Sequence, residues 1–265
     1  MVQLEQIHKY FHRGEGHEVH ALRGVNLEIG AGEFVTVIGS NGAGKSTLLN
    51  CIAGVHPVDG GRILLGGRDV TSLSVDRRAA WIGRVFQNPL DGTAGSLSIE
   101  QNMSLALLRG RPRGLRAGVS RERREQFRAS LAQLGLGLEE RMTVRARTLS
   151  GGQRQALALL MATLAAPQVL LLDEHIAALD PAAAGLVADM TARLIAEQRL
   201  TALMVTHNMQ QALSLGTRTL MMHQGRIILD ISGAERAGLT VPDLVRRFTS
   251  GRKEVVADDE LLLSE

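Results

Sequence analysis

The chain has 265 residues, 45% of them hydrophobic and 22% charged, and a formal net charge of +3. That is enough apolar residue for one large domain or a domain with an inserted lobe, and too little charge to argue for nucleic acid on its own. Cys51 is the single cysteine, which excludes an internal disulfide and fits a reducing compartment; aromatics are only 3%, so aliphatic residues and alanine must build the core.

The opening MVQLEQIHKYFHRG lacks the apolar run of a signal peptide. VQLEQI, HALRGVNLEI and GEFVTVIG carry alternating or continuous apolar patterns that predict strands, and RILLGGRDV predicts another short strand closed by a turn. After Gly44 and Lys45 the pattern of STLLNCIAG becomes helical and stops at Gly54, a residue suited to the left-handed conformation that ends helices. From Asn88 to about Leu149 helical patterns dominate in SIEQNMSLALLRG and SRERREQFRASLAQLG, broken by RGRPRGLRAG. They predict an inserted helical lobe.

The stretch Ala156 to Leu172 falls just short of the roughly 18 to 20 apolar residues a spanning helix needs, and Thr163, Pro167 and Gln168 interrupt it. It reads as a buried helix ending before Pro167 and then a buried strand, with Asp173 and Glu174 directly after. A helix from Pro181 to Gln198, a strand in LTALMVTH, a helix over NMQQALSLG and a strand pair in TLMMHQGRIILD follow. The final EVVADDELLLSE predicts a frayed or disordered end, with no regulatory domain after Phe248. Strands alternating with helices imply an α/β fold with a mostly parallel sheet, and the strand-rich start implies a small antiparallel sheet beside it. The expected division is a core of residues 1–88 and 159–250, a helical subdomain of 89–158 and a tail of 251–265.

GSNGAGKST, Gly39 to Thr47, matches G-x-x-x-x-G-K-[ST] at every fixed position, after an apolar strand and at the start of a helix. Ser40, Asn41, Gly42, Ala43, Gly44, Lys45, Ser46 and Thr47 are therefore the expected nucleotide contacts. Gly42 and Gly44 let backbone N–H groups wrap around phosphates, and the helix N-terminus adds its positive end. Lys45 is expected to bridge the β- and γ-phosphates of ATP and the Ser46 hydroxyl to ligate Mg²⁺. Val169-Leu170-Leu171-Leu172-Asp173-Glu174 puts two carboxylates at the tip of a buried strand, where open parallel sheets bind ligands. Asp173 would organise Mg²⁺, and Glu174 would act as general base on the attacking water. Without the upstream loop such an acidic pair reads equally as a solvated turn.

With LSGGQ (Leu149 to Gln153) added, the chain resembles the nucleotide-binding subunit of ABC transporters along nearly its whole length. Such subunits pack head to tail in pairs. The resemblance implies that Ser150, Gly151, Gly152 and Gln153 reach the nucleotide of the partner subunit; a serine cap alone explains Ser150 but not its neighbours. It further implies that Gln87 contacts Mg²⁺ and the attacking water where core meets lobe. By the same likeness Asp180 in AALDP communicates between sites, His207 contacts the γ-phosphate, and an aromatic residue, Phe11 in preference to Tyr10, stacks on adenine. From the residues alone His207 also reads as a structural histidine.

The sequence departs from the commonest family pattern at His175-Ile176, where Pro-Thr or Pro-Ser is usual, and at Ala156 and Met161, where arginines are usual. Different helix-to-sheet packing is expected there. DEHIAALDP, FQNPLDGTAGSLSIEQN and LMVTHNM resemble a subgroup of bacterial importers that work with a periplasmic or extracellular binding protein, with amino acids, including aromatic ones, as solutes. The implied assembly is a homodimer on a membrane permease, cytoplasmic and peripheral on the inner face of the cell membrane, with no nucleic acid. The alternative is a soluble ATPase of the same family acting on nucleic acid or ribosomes. A nucleotide switch without turnover is a third reading, opposed by the presence of Gln87, Glu174 and His207. Arg109 to Arg128 holds eight arginines with few acids and a single aromatic, Phe127, a pattern that reads first as a solvated lobe face, next as a contact for lipid head groups or a permease loop, and last as a nucleic-acid footprint.

Overall fold

The computed structural model describes residues 1–12, 14, 16–110 and 118–250. Its strands are β1 (Val2–Phe11), β2 (Val19–Ile29), β3 (Phe34–Gly39), β4 (Gly60–Leu65), β5 (Arg68–Asp69), β6 (Ile82–Val85), β7 (Val169–Asp173), β8 (Thr201–Val205), β9 (Arg218–His223) and β10 (Arg226–Ser232). Its helices are α1 (Lys45–Ala53), α2 (Val75–Arg78), α3 (Ile99–Leu107), α4 (Arg121–Ala132), α5 (Gly151–Thr163), α6 (Pro181–Gln198), α7 (Met209–Leu215) and α8 (Gly233–Ala237). A helical run also covers 241–250. The described residues gather into two compact units, one from Met1–Leu73 with the part from Thr201 onward, the other Ser74–Leu200.

The first unit holds an antiparallel sheet in the order β2-β1-β4-β5. Beside it in the same unit run β10-β9-β3-β8, with β3 parallel to both β8 and β9 and β10 antiparallel to β9. The continuous apolar run of β3 suits a strand covered on both faces, and Phe34 to Ile38 are all buried. Thr36, the polar exception, shares a hydrogen bond with Thr219 on β9 at 3.0 Å and donates to the Ala212 carbonyl. Helix α1 buries Leu48, Leu49, Cys51 and Ile52 and ends at Gly54 with φ 80°, the left-handed stop its sequence predicts.

In the second unit β6 and β7 pair in parallel. Helix α5 is buried on most sides, from Gly152 through Thr163, and stops four residues short of Pro167. Its C-terminal end lies so close to β6 that a Cβ on Gly83 would stand 2.5 Å from the Ala162 carbonyl oxygen. Glu100 on α3 accepts two hydrogen bonds from the Arg124 guanidinium on α4, at 2.7 and 3.1 Å. Arg109 is turned inward and donates to the Ala162 carbonyl at 2.8 Å. Positions 111–117 of the arginine-rich stretch and the tail 251–265 lie outside the described residues. Among the described residues no helix is long and apolar enough to cross a membrane.

Candidate active site

In the first unit the phosphate loop leaves β3 and enters α1. Gly44 stands at the N-cap with φ 96°, and a Cβ there would lie 2.6 Å from the Ala21 carbonyl oxygen, so only glycine fits. Lys45 is buried, and its ammonium donates to the carbonyls of Gly39 at 2.8 Å and Ser40 at 3.0 Å. These two carbonyls hold the ammonium within the loop. Asn41, Gly42 and Ser46 are exposed on the loop. His207 belongs to the same unit. Val37 of β3 pairs in register with Val205 of β8, so Gly39 and His207, each two residues further, leave the sheet at the same edge.

Tyr10 and Phe11 end β1 in this unit. The Tyr10 ring is stacked on His20 with centroids 4.0 Å apart and an interplanar angle of 12°. Phe11 meets His56 edge-on at 5.3 Å. The Lys9 ammonium also stands over the Phe11 ring, 5.5 Å from its centroid, so each of the two rings has a partner within the fold.

The second unit brings the acidic pair and Gln87 together. Val85 pairs with Leu172, so the chain two residues on places Gln87 opposite Glu174, and Gln87 Nε2 donates to Glu174 Oε2 at 3.2 Å. Gln155, fully buried on α5, donates to the Phe86 carbonyl at 3.0 Å and fixes the residue before Gln87. Glu174 holds φ 44°, a left-handed conformation unusual for a residue with a side chain, and its carbonyl accepts from Ala177 N at 2.9 Å. Asp173 accepts from Arg84 Nη2 at 3.4 Å. A cavity of about 460 Å³ opens here, lined by Phe86, Gln87, Asn88, Asp91, Asp173 and Ala178.

Sequence reasoning did not reach Arg84. Its signal was a lone arginine in the short apolar run Ile82 to Val85, too short to show a strand period. His175, where proline is usual, is buried and bonds Thr191 on α6 at 2.9 Å. The Thr191 hydroxyl gives its proton to the Val187 carbonyl at 2.7 Å, so His175 Nε2 is the donor. Burial pushes its pKa down to about 4. The departure from the common pattern is thus a packed histidine tying the turn after Glu174 to α6.

Ser150 caps α5 and exchanges hydrogen bonds with Gln153, each at 3.2 Å. A Cβ on Gly152 would lie 2.8 Å from the Ala183 Cβ on α6, whereas one on Gly151 would meet only Leu179 at 3.6 Å. Contrary to the expectation from sequence, the cap involves more than Ser150. Local structure accounts for Ser150, Gln153 and Gly152, and Gly151 is the exposed member that folding does not require. Asp180 caps α6 by accepting from Ala183 N at 3.0 Å, next to the same contact.

Serine hydroxyl, glutamine amide and aspartate carboxylate are hard oxygen donors of the kind Mg²⁺ takes. Among the described residues no group of three or more His, Cys, Asp or Glu stands ready to hold a metal. That donor set fits an ion that shares one carboxylate with phosphate oxygens and water rather than an all-protein cage.

A family model described as ABC transporter matches residues 22–177. The chain belongs to the ABC transporter family. Its relatives include a tyrosine transport ATP-binding protein of Clostridioides difficile, 40% identical over 94% of this chain and 98% of that protein. Another is a phosphate-import ATP-binding protein of Mycolicibacterium smegmatis, 37% identical over 79% and 80%. Among solved structures, a dimeric ATP-binding cassette in a post-hydrolysis state bound to ADP and Pi is 30% identical with a TM-score of 0.74, covering 88% of this chain and 98% of that one. The fold is the α/β ATPase fold of ABC cassettes, with an antiparallel sheet and a mixed, mostly parallel one. The chain is an ABC-family ATP-binding subunit, an ATPase coupled to transport.

Proposed function

We propose that two copies of this chain bind Mg-ATP head to tail and that hydrolysis drives a membrane permease importing an amino acid, with tyrosine the first candidate. The pairing of Gln87 with Glu174 at 3.2 Å carries the hydrolytic part. It aims a general base and a water-orienting amide at one point. Lys45 and the loop amides from Ser40 to Thr47 bind the phosphates, and Phe11 stacks on adenine. Ser46, Gln87 and Asp173 would hold Mg²⁺, which when bound neutralises phosphate charge. Glu174 takes the proton of the attacking water, and His207 contacts the γ-phosphate. Ser150, Gly151, Gly152 and Gln153 act on the partner copy's nucleotide, and Asp180 links the two sites.

The importer reading and its solute rest on the likeness to the tyrosine transport protein. A substrate-binding protein outside the membrane and a location on its inner face belong to the same reading. The helical subdomain of 89–158 works as a lobe whose movement the permease follows. The turn at Asn88 to Ser98 is its docking segment, with the Leu90 side chain 55% exposed there. The experiment is purification of the chain with its permease and binding protein, followed by uptake into vesicles with ATP on the cassette side. Tyrosine-stimulated ATPase and tyrosine uptake are expected. Recovery with ribosomes or DNA, released by salt, would replace transport with the soluble alternative.

A further inference from the structure

Arg84 lies on β6 three residues before Gln87, with its side chain only 15% exposed. Its guanidinium lies 4.6 Å from the centroid of the Phe86 ring and reaches the Asp173 carboxylate, itself 16% exposed. Burial lowers the Arg84 pKa and the nearby Asp173 charge raises it, but a guanidinium does not give up its proton in a protein. The carboxylate is therefore what makes burying this cation tolerable. The charged residues that line the adjoining cavity, Asp91 and Asp173, are both acidic, and Glu174 follows directly. At 3.4 Å the bond from Arg84 Nη2 to Asp173 Oδ2 is loose, longer than the roughly 2.7 to 2.9 Å of a tight charge-assisted pair.

From this geometry we infer that Arg84 is a positioning residue of the hydrolytic site, an internal counter-ion that holds Asp173 until a divalent cation arriving with nucleotide takes its place. The inference deepens the site reading above and rests on it. A cation and a guanidinium compete for one carboxylate, so Arg84 sets how much metal the site needs. It also keeps Asp173 beside the Gln87–Glu174 pair while the site is empty. A purely structural arginine would affect folding and leave metal affinity alone.

The test is Mn²⁺ binding, read by electron paramagnetic resonance on the purified chain with saturating ADP. Arg84→Gln removes the competing charge and is expected to tighten Mn²⁺ by about tenfold, a heavily discounted share of the Coulomb energy of two charges this close. Arg84→Lys should stay within about threefold of the parent, since it keeps the charge. Unchanged or weaker Mn²⁺ binding in Arg84→Gln, with ADP affinity retained, overturns the inference. Asp173→Asn is the control for the underlying site. If it loses Mn²⁺ while Arg84→Gln changes nothing, only the role of Arg84 falls; if it binds Mn²⁺ like the parent, the site reading itself falls. Should Arg84→Gln not fold, the parent answers with side-chain nitrogen resonances of labelled arginine. One guanidinium, assigned by its loss in Arg84→Lys, should shift when Mg-ADP is added, and no shift overturns the inference.

Discussion

Glu174 holds a left-handed backbone at φ 44° and accepts the Gln87 amide on its side chain, so position and orientation are both fixed before any ligand arrives. A non-glycine residue kept there costs roughly 1 kcal/mol or more, tolerated where the surroundings impose it. Glutamine at this position keeps shape and hydrogen bonding but cannot take a proton. Glu174→Gln is expected to bind ATP with near-parental affinity and to lower turnover by a factor on the order of 10² or more. Calorimetry and a phosphate-release assay read the two parts. Near-normal turnover in a preparation free of contaminating ATPase would sink the general-base role. At this scale the phosphate loop and the acidic pair were legible because their chemistry demands fixed residue types at fixed spacing. Arg84 was not, because its partner Asp173 is 89 residues away and only the β6–β7 register unites them.

At the scale of elements, the limits of α1 and α6 follow from Gly54, Asp180 and Pro181, local signals that act within one turn. Strand β6 is four residues long and exists through its pairing with β7, so nothing local announced it. The start of α5 lies between. Its capping box was half readable, but the reason for Gly152 is Ala183 on another helix. Gly152→Ala should force the two helices apart and cost about 1 to 3 kcal/mol, seen as a lower Tm. Gly151→Ala should change stability by less than about 0.5 kcal/mol, yet lower ATPase activity if that face serves a partner copy. Equal Tm losses in both would show the segment to be structural.

The hairpin of β1 and β2 carries a pH response of its own. Desolvation, then the charge of Arg23 and the proximity of His8, lowers the pKa of His20 below 6.5. The folded state thus holds fewer protons than the unfolded one as pH falls through 6.5, and stability drops with acidification across that window. A Tm series from pH 8 to 5 should decline, and His20→Gln should flatten it. A parental decline unaltered by that change places the effect in other groups.

For the whole molecule, the phosphate loop belongs to one compact unit and the signature segment to the other, and the proposed pairing joins them across two chains. A cysteine pair tests this directly, because Cys51 is the chain's single cysteine and is buried. The packing around α5 decides which signature position to use. Gly152 has no room for a side chain, whereas a Cβ on exposed Gly151 comes no nearer than 3.6 Å to a neighbour. Ser40→Cys in the loop is a one-atom change. Ser40→Cys and Gly151→Cys, combined in a Glu174→Gln chain so that bound ATP persists, should give a disulfide-linked dimer only when ATP and Mg²⁺ are present. Each single-cysteine chain mixed with the other should give the same band at lower yield, since only mixed pairs then present both thiols. Cross-linking that is confined to single chains, or that forms equally without nucleotide, would exclude the head-to-tail arrangement.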